Sequence, residues 1–347
     1  MPHFASALLV GPYMPDANTL VLLHLDEAAG GSVTTNVGSL GGNFISVNFS
    51  SDTTPLPVLT TMLGGVSYST NSTPPISFNN CMTNTTGGYE LGYDYNRDGV
   101  FEPDPGGGGA SGDFIVMTNL NIGNGGQTPF TLEALVQPTN ITNTEEIICT
   151  DSSQANRAFQ FRIESGSLQF QFILNSQVLT DAIPTTGSNA FTAANWYHAA
   201  FTYDGTNGTF YWTKLGPSRT AASVLLSGPL TMGTADGVVV GPLVVGNRGR
   251  PTGTETFLGR IDEVRISNMA RAATGMLFPG PNVSIVSQPS PTNQLVGTRQ
   301  PFGIAVTANG QSMAAQWLGD CERHEQHILG RFRAIDRRGR LRRGGHE

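Results

Sequence analysis

Between Ala158 and Leu174 the chain reads AFQFRIESGSLQFQFIL. Phe159, Phe161 and Ile163 alternate with Gln160, Arg162 and Glu164. After the Glu-Ser-Gly-Ser turn, Leu168, Phe170, Phe172 and Leu174 stand opposite Gln169 and Gln171. A period of two places every large apolar side chain on one side of a pleated ribbon, and the amides and charges on the other. The stretch predicts a β-hairpin with one buried face.

The same device recurs in NWYHAAFTYDGTNGTFYWTKLG. Trp196 to Tyr203 is predicted as a strand, DGTNG as a turn rich in residues that tolerate positive φ, and Thr209 to Lys214 as the return strand. TLVLLHLDEA, TPFTLEALVQPT, VVVGPLVVGN and FLGRIDEVRIS supply further strands, with no helical periodicity between them. Strand after strand argues for an antiparallel sandwich or barrel. Composition agrees: 13% of residues are charged and glycine alone contributes 43, which suits a turn-rich all-β chain. Residues 43–127 are polar and rich in Thr, Asn, Gly and Pro. They read as long excursions with edge strands, short pieces such as PISF and DFIVM among them.

Charge is divided along the chain. Residues 1–320 carry 11 basic and 22 acidic side chains, whereas residues 321–347 carry 8 Arg and 4 acidic residues. An acidic β-rich body offers no clustered cations for phosphate, so nucleic acid is not an expected partner. No apolar run approaches the ~20 residues that a membrane-spanning helix needs. The N-terminal MPHFASALLVGPYMPD has no cationic leader region. The expectation is a secreted or cell-surface protein whose natural leader is missing. Three cysteines, Cys81, Cys149 and Cys321, form no C-x-x-C, which argues against zinc. Cys81 and Cys149 either pair or remain free thiols; spacing does not decide.

Five stretches occur in an order that resembles the laminin-G-like, concanavalin A-like jelly roll of bacterial secreted proteins. They are residues 20–42, FTLEALVQP (130–138), NWYHAAFTYDGTNGTFYW (195–212), LVVGN (243–247) and FLGRIDEVRISNMAR (257–271). The resemblance implies an all-β, antiparallel two-sheet jelly-roll sandwich over residues 19–275, following an N-terminal arm of residues 1–18. A linker follows at 276–282. Residues 283–319 resemble the first strands of an immunoglobulin-like domain, with Trp317 where its core tryptophan would stand. The irregular Arg-rich tail, 320–347, does not continue that pattern. It is read as a frameshifted or truncated end, or as a genuine cationic tail.

Functional expectations follow from single stretches. In YDYNRDGVFEPDPGGGG, Asp94, Asn96 and Asp98 alternate ahead of Gly99, and Val100 and Glu102 could add oxygens. This is the ligand chemistry of calcium. Position twelve is Pro105, not Glu, so the stretch is not an EF-hand; the alternatives are a solitary calcium loop and a solvated acidic turn. Asp26, Glu27, Asp262 and Glu263 fall on the first and last strands, where they either hold a structural cation or accept backbone hydrogen bonds. His198 and Trp196 are expected to be packed residues. Tyr95, Tyr203, Tyr211, Trp212, Arg248 and Arg250 are candidates for a glycan-binding rim, because ring faces stack on sugar C–H faces. Glycosidases with this fold are expected to present paired carboxylates in an E-x-D-x-(x)-E arrangement, and retaining chemistry needs the pair ~5 Å apart. TLEALV, TEEIIC and RIDEVR do not reproduce that spacing, leaving Glu133 alone on its strand. The resulting expectation is a non-catalytic module for a polysaccharide or glycan, or for a cell-surface protein. A glycoside hydrolase using Glu133 is the alternative, and a structural spacer the third.

Overall fold

The computed structural model describes residues 13–27, 31–48, 56–57, 61–62, 67–68, 76–77, 81–84, 89–99, 101, 115–116, 128–151, 157–173, 177–193, 195–216, 221–231, 240–241, 243–248, 255–277, 284–287, 300–308 and 311–319. Pro12–Phe278 forms one compact unit. The strands of its two large sheets are β1 (Thr19–Leu23), β2 (Val33–Thr35), β3 (Asn43–Asn48), β4 (Met82–Asn84), β5 (Tyr89–Asp94), β6 (Phe130–Pro138), β7 (Thr144–Asp151), β8 (Arg157–Glu164), β9 (Ser167–Phe172), β10 (Gln177–Ala182), β11 (Tyr197–Tyr203), β12 (Asn207–Lys214), β13 (Val224–Pro229), β14 (Leu243–Val245) and β15 (Gly259–Ser267).

Sheet I runs β13-β12-β11-β6-β15-β4, continued by Thr61–Met62, with β1 also paired to β15. Sheet II runs β10-β9-β8-β7-β14-β5-β3-β2, with Leu56–Pro57 on β3. Every pairing in both is antiparallel. The architecture is an all-β jelly-roll sandwich, and the helical content among the described residues is one short 3-10 turn, Ala273–Gly275.

The alternation read from the sequence decides how the sheets meet. Phe159, Phe161, Phe170 and Phe172 of sheet II and Phe130, Phe201, Tyr203 and Phe210 of sheet I enter one core. The rings of Phe170 and Phe201 stack across it, with centroids 3.9 Å apart and planes 5° from parallel. Phe130 sits among Phe170, Phe172, Phe201 and Tyr203. Each such ring contributes about 1.5–3 kcal/mol by leaving water. The β8–β9 hairpin turns through Ser165 (φ 49) and Gly166 (φ 88), two successive positive-φ residues, the turn whose twist matches antiparallel strands.

Residues 43–127 depart from the expectation of edge strands. β5 lies inside sheet II, between β14 and β3, and β4 lies between β15 and Thr61–Met62. Their alternation is weak because β5 carries a buried Glu90 and a glycine, Gly92, where a large apolar residue would announce a strand. The short pieces do pair: Ile76–Ser77 with Ser67–Tyr68, and Ile115–Val116 with Val240–Gly241.

Of the second unit, the described residues are Ser284–Ser287, Gln300–Ala308 and Gln311–Gly319, which form one antiparallel sheet in that order. Trp317 is paired with Phe302 in its register. The Arg-rich tail and Cys321 lie outside the described residues.

Candidate functional site

Each sheet has a face turned away from the shared core, and the two faces differ in chemistry. On β6, Phe130, Leu132, Ala134 and Val136 point into the core, so Thr131 and Glu133 emerge on the outer face of sheet I. Glu133 pairs in register with Ala200 of β11 and Arg265 of β15. Arg265 Nε donates to Glu133 Oε1 at 2.6 Å, Tyr13 Oη donates to Oε2 at 3.0 Å, and His198 Nε2 lies 3.0 Å from Oε2. Glu133 and His198 are fully buried. Burial alone would push the Glu133 carboxyl up, but Arg265 and then His198 outweigh it and hold it below the usual carboxylate range. An ionised carboxylate only accepts, so His198 Nε2 donates.

Two segments close this face. Tyr13 lies with its ring 3.9 Å under the Arg265 guanidinium, and its single hydroxyl proton is shared between Glu133 Oε2 and Met276 O, 2.6 Å away. Burial, and then Glu133, pushes the Tyr13 phenol well above its ordinary range. Arg265 Nη2 donates to Gly275 O. Arg271 grips Asp16 with two parallel bonds of 2.9 Å and holds its carboxyl far below the usual range. Ala200, Tyr211, Ala222, Met276 and Leu277 make a small second core beside the network.

Of the four acidic residues read onto the first and last strands, Asp26 and Glu27 lie beyond the end of β1, and Glu27, Asp262 and Glu263 act on backbone and on a histidine. Between the pairs Glu133–Arg265 and Leu135–Asp262, Ala134 faces both Glu263 and Val264, a β-bulge with Glu263 at φ 48. Asp262 Oδ1 accepts from Glu263 N, Glu263 accepts from Tyr13 N and sits 2.9 Å from His24 Nδ1, and Glu27 Oε1 accepts from Thr35 N. Among the described residues no group of three His, Cys, Asp or Glu side chains is arranged to hold a metal. Cys81 and Cys149 are buried and not joined to each other by a disulfide; Cys149 Sγ donates to Asn247 O at 3.2 Å.

The outer face of sheet II is polar and partly open. Register aligns Glu146, Arg162, Gln169 and Thr180 across β7, β8, β9 and β10, and beside them Gln160, Gln171 and Val178. Arg162 donates through Nε and Nη2 to Gln169 Oε1 (3.0 and 2.7 Å) and through Nη1 to Glu146 Oε1 and Glu255 Oε2 (3.3 and 3.4 Å). Arg248 Nη1 meets Glu255 Oε1 at 2.5 Å. Two guanidinium groups, carboxylates and side-chain amides thus lie on one ribbon that grades from buried Gln160 to exposed Thr180 and Val178. Glu145, one residue from this row, is paired opposite Ile163 on the other side of the sheet. Burial raises its carboxyl to about 7, with the Leu258 backbone and Asn143 side chain offsetting part of the effect.

The expected rim is placed differently. Tyr203 and Trp212 belong to the main core, Trp212 stacked on Tyr197 at 4.5 Å, and Tyr211 is enclosed in the second core. As folded, these three rings offer no face to a sugar. Trp196 is buried too. Tyr95 is 57% exposed, Arg248 joins the sheet II row, and Arg250 lies outside the described residues. Asp94, Asn96 and Asp98 converge on one turn, whereas Val100 and Glu102 lie outside the described residues. The sequence reading missed Tyr13, Arg265 and the Arg162 row. Arg162 carried a usable signal, a cation on a strand of strict alternation; Arg265 follows a bulge that breaks the alternation of its strand, and Tyr13 carried none.

Residues 106–274 match the model of a family described as the concanavalin A-like lectin/glucanases superfamily. No curated protein matches the sequence. Among solved structures, the chain is similar to the CBM40 of a Ruminococcus gnavus IT-sialidase bound to α2,3-sialyllactose. That likeness has 11% identity, covers 44% of this chain and 82% of that one, and has a TM-score of 0.35. It is also similar to the botulinum neurotoxin serotype D binding domain (8%, 93% and 73%, 0.42) and to a Trypanosoma rangeli sialidase (14%, 76% and 32%, 0.35). None of these likenesses bears on what the chain binds.

Proposed function

We propose that this chain is a non-catalytic module that binds a carbohydrate on the outer face of sheet II, through Arg162, Gln169, Gln171 and Arg248. The observation that carries the reading is the register-aligned row Glu146–Arg162–Gln169 on paired strands, joined by Arg248 through Glu255. Sugar hydroxyls both donate and accept. A surface that presents fixed donors beside fixed acceptors answers that chemistry, and strands hold it more firmly than loops would. Matching a family described by both lectins and glucanases leaves the activity to the site, since one fold hosts many functions.

The hydrolase alternative would need two carboxyl groups facing one bond. Glu133 is buried and held by Arg265, Tyr13 and His198, and Glu145 faces away from Glu146. A protein ligand on the same polar row is the second reading for a binding module. A glycan array probed with the full chain tests the proposal. Retention of at least one glycan is expected, with affinity falling about 10-fold or more in Arg162→Met, the cost of one charge-assisted hydrogen-bonding group. Absence of any glycan binding would overturn it. Release of reducing ends from a polysaccharide, abolished in Glu133→Gln, would install the hydrolase in its place.

A further inference from the structure

β5 ends at Asp94, and the chain then reverses through Tyr95–Gly99 with Arg97 (φ 61) and Gly99 (φ 82) in the left-handed region. The side chains of the triplet turn inward. Gly99 N donates to Asp94 Oδ2 at 3.0 Å, Asp98 N donates to Asn96 Oδ1 at 3.0 Å, and Asn96 Nδ2 donates to Asp98 Oδ2 at 2.9 Å. One atom does not fit a self-sufficient turn. Asp94 is 1% exposed, and its Oδ1, on the carboxylate that faces the loop, is buried with no hydrogen-bond partner among the described residues. A carboxylate oxygen stripped of water and left without a partner is costly, and buried charges are paired or bind metals.

From this geometry we infer that the turn is a calcium site, with Asp94 Oδ1, Asn96 Oδ1 and an Asp98 carboxylate oxygen as protein ligands. Calcium takes several hard oxygens in irregular geometry, and alternate positions ahead of a left-handed glycine are how one short loop delivers them; magnesium, smaller, demands near-octahedral order. Gly99 is required for its φ and not for space, because no described residue lies within 4 Å of where its Cβ would stand. The structural consequence reaches sheet II. Two residues beyond Gly99, Phe101 packs with Ile45, Cys149 and Val244, and its ring covers Gly92 so closely that a Cβ there would sit 2.5 Å from it. A cation in the turn would fix the point from which that aromatic cover departs. The inference does not depend on the carbohydrate reading.

Tyr95, exposed within the turn, and Tyr93, 6.2 Å from it ring to ring, provide an intrinsic reporter. The full chain, stripped with EDTA, is titrated with terbium under tyrosine excitation, and its melting is followed in calcium, magnesium and EDTA. Sensitised terbium emission displaced by calcium is expected, with a Tm about 5 °C higher in saturating calcium than in EDTA. Asp98 is exposed, so Asp98→Ala is expected to weaken terbium binding about 10-fold or more and to abolish the calcium increment in Tm, while the lost Asn96–Asp98 hydrogen bond lowers the EDTA melting point by no more than about 2 °C. Asp94→Asn supplies a second, near-isosteric variant with the same expectation for binding. Equal melting points in calcium and EDTA without terbium emission would overturn the assignment. So would emission untouched by both substitutions.

Discussion

The outer faces of the two sheets carry similar side chains to opposite ends. On sheet I, Glu133, Arg265 and His198 lie beneath Tyr13 and the segment that ends in Met276. On sheet II, Glu146, Arg162 and Gln169 form a row of comparable chemistry with an exposed end. The difference lies in what crosses over each face. A covered network contributes to holding its cover down, whereas in the open one Arg162 is held by Gln169, Glu146 and Glu255 and the half-buried amides of Gln169 and Gln171 remain at the surface. Carboxylates and arginines on a strand therefore do not identify a site until the segments above them are known.

The comparison breaks most visibly at Arg265. Arg265→Met leaves Glu133 charged, buried and short of its principal partner, which is expected to cost about 3–5 kcal/mol and lower Tm by about 10 °C. Denaturant unfolding checks this. A double variant, Glu133→Met with Arg265→Met, should recover much of the loss, since an apolar replacement of a buried pair is often near neutral. No recovery would mean that the buried His198 Nε2 and Tyr13 hydroxyl, which lose Glu133 as acceptor, cost as much as the unpaired charge.

Next in size is Gly92→Ala. Its Cβ would meet the Phe101 ring, and overpacking of this kind costs about 1–3 kcal/mol. Thermal melting of the variant measures it; a neutral result would show that Phe101 does not rest on sheet II in solution.

Arg162→Met sharpens the contrast from the other side. It removes a guanidinium that is 14% exposed and meets Glu146, Glu164 and Glu255, so a stability loss of about 1–2 kcal/mol is expected alongside the large loss of glycan affinity. A stability loss equal to that of Arg265→Met would erase the distinction between the faces.

The smallest effect is pH-dependent and belongs to the rim of the closed face. The Glu263 hydrogen bond, against burial, raises His24 above its ordinary 6.5, and burial, against His24, raises Glu263 above 4.5. Both groups bind protons more tightly in the folded chain. Their stabilisation is fully present below the unfolded values and is lost as pH rises through the raised ones. For His24 that window opens at about 6.5 and extends upward. His24→Gln is expected to flatten the melting profile there by about 2 °C. An unchanged profile would remove the pair from the account.

The sandwich is legible in the sequence wherever one face is wholly apolar, as in Phe159–Ile163 and Leu168–Phe172. A period of two announces such a strand without help from the rest of the chain. β5 is not legible in this way, because Gly92 makes room for Phe101 and Glu90 is buried, and both facts depend on distant residues. The turn at Asp94 could be read because its Asp-x-Asn-x-Asp-Gly pattern is local. Tyr211 could not: alternation separates it from Trp212, but only Met276 and Leu277, far along the chain, decide that its face is closed. Alternation assigns a residue to a side of a sheet and is silent about what lies over that side.

The position of β15 has a consequence for how the molecule is made. This strand, near the end of its unit, pairs along one edge with β6 and along the other with both β1 and β4. The first strand thus waits for a partner synthesised some 240 residues later. Contacts of such sequence separation are slow to form. Until β15 emerges from the ribosome, β1 and β6 present unpaired backbone edges to other chains. Fragments that end before Gly259 are expected to aggregate, whatever their ligand.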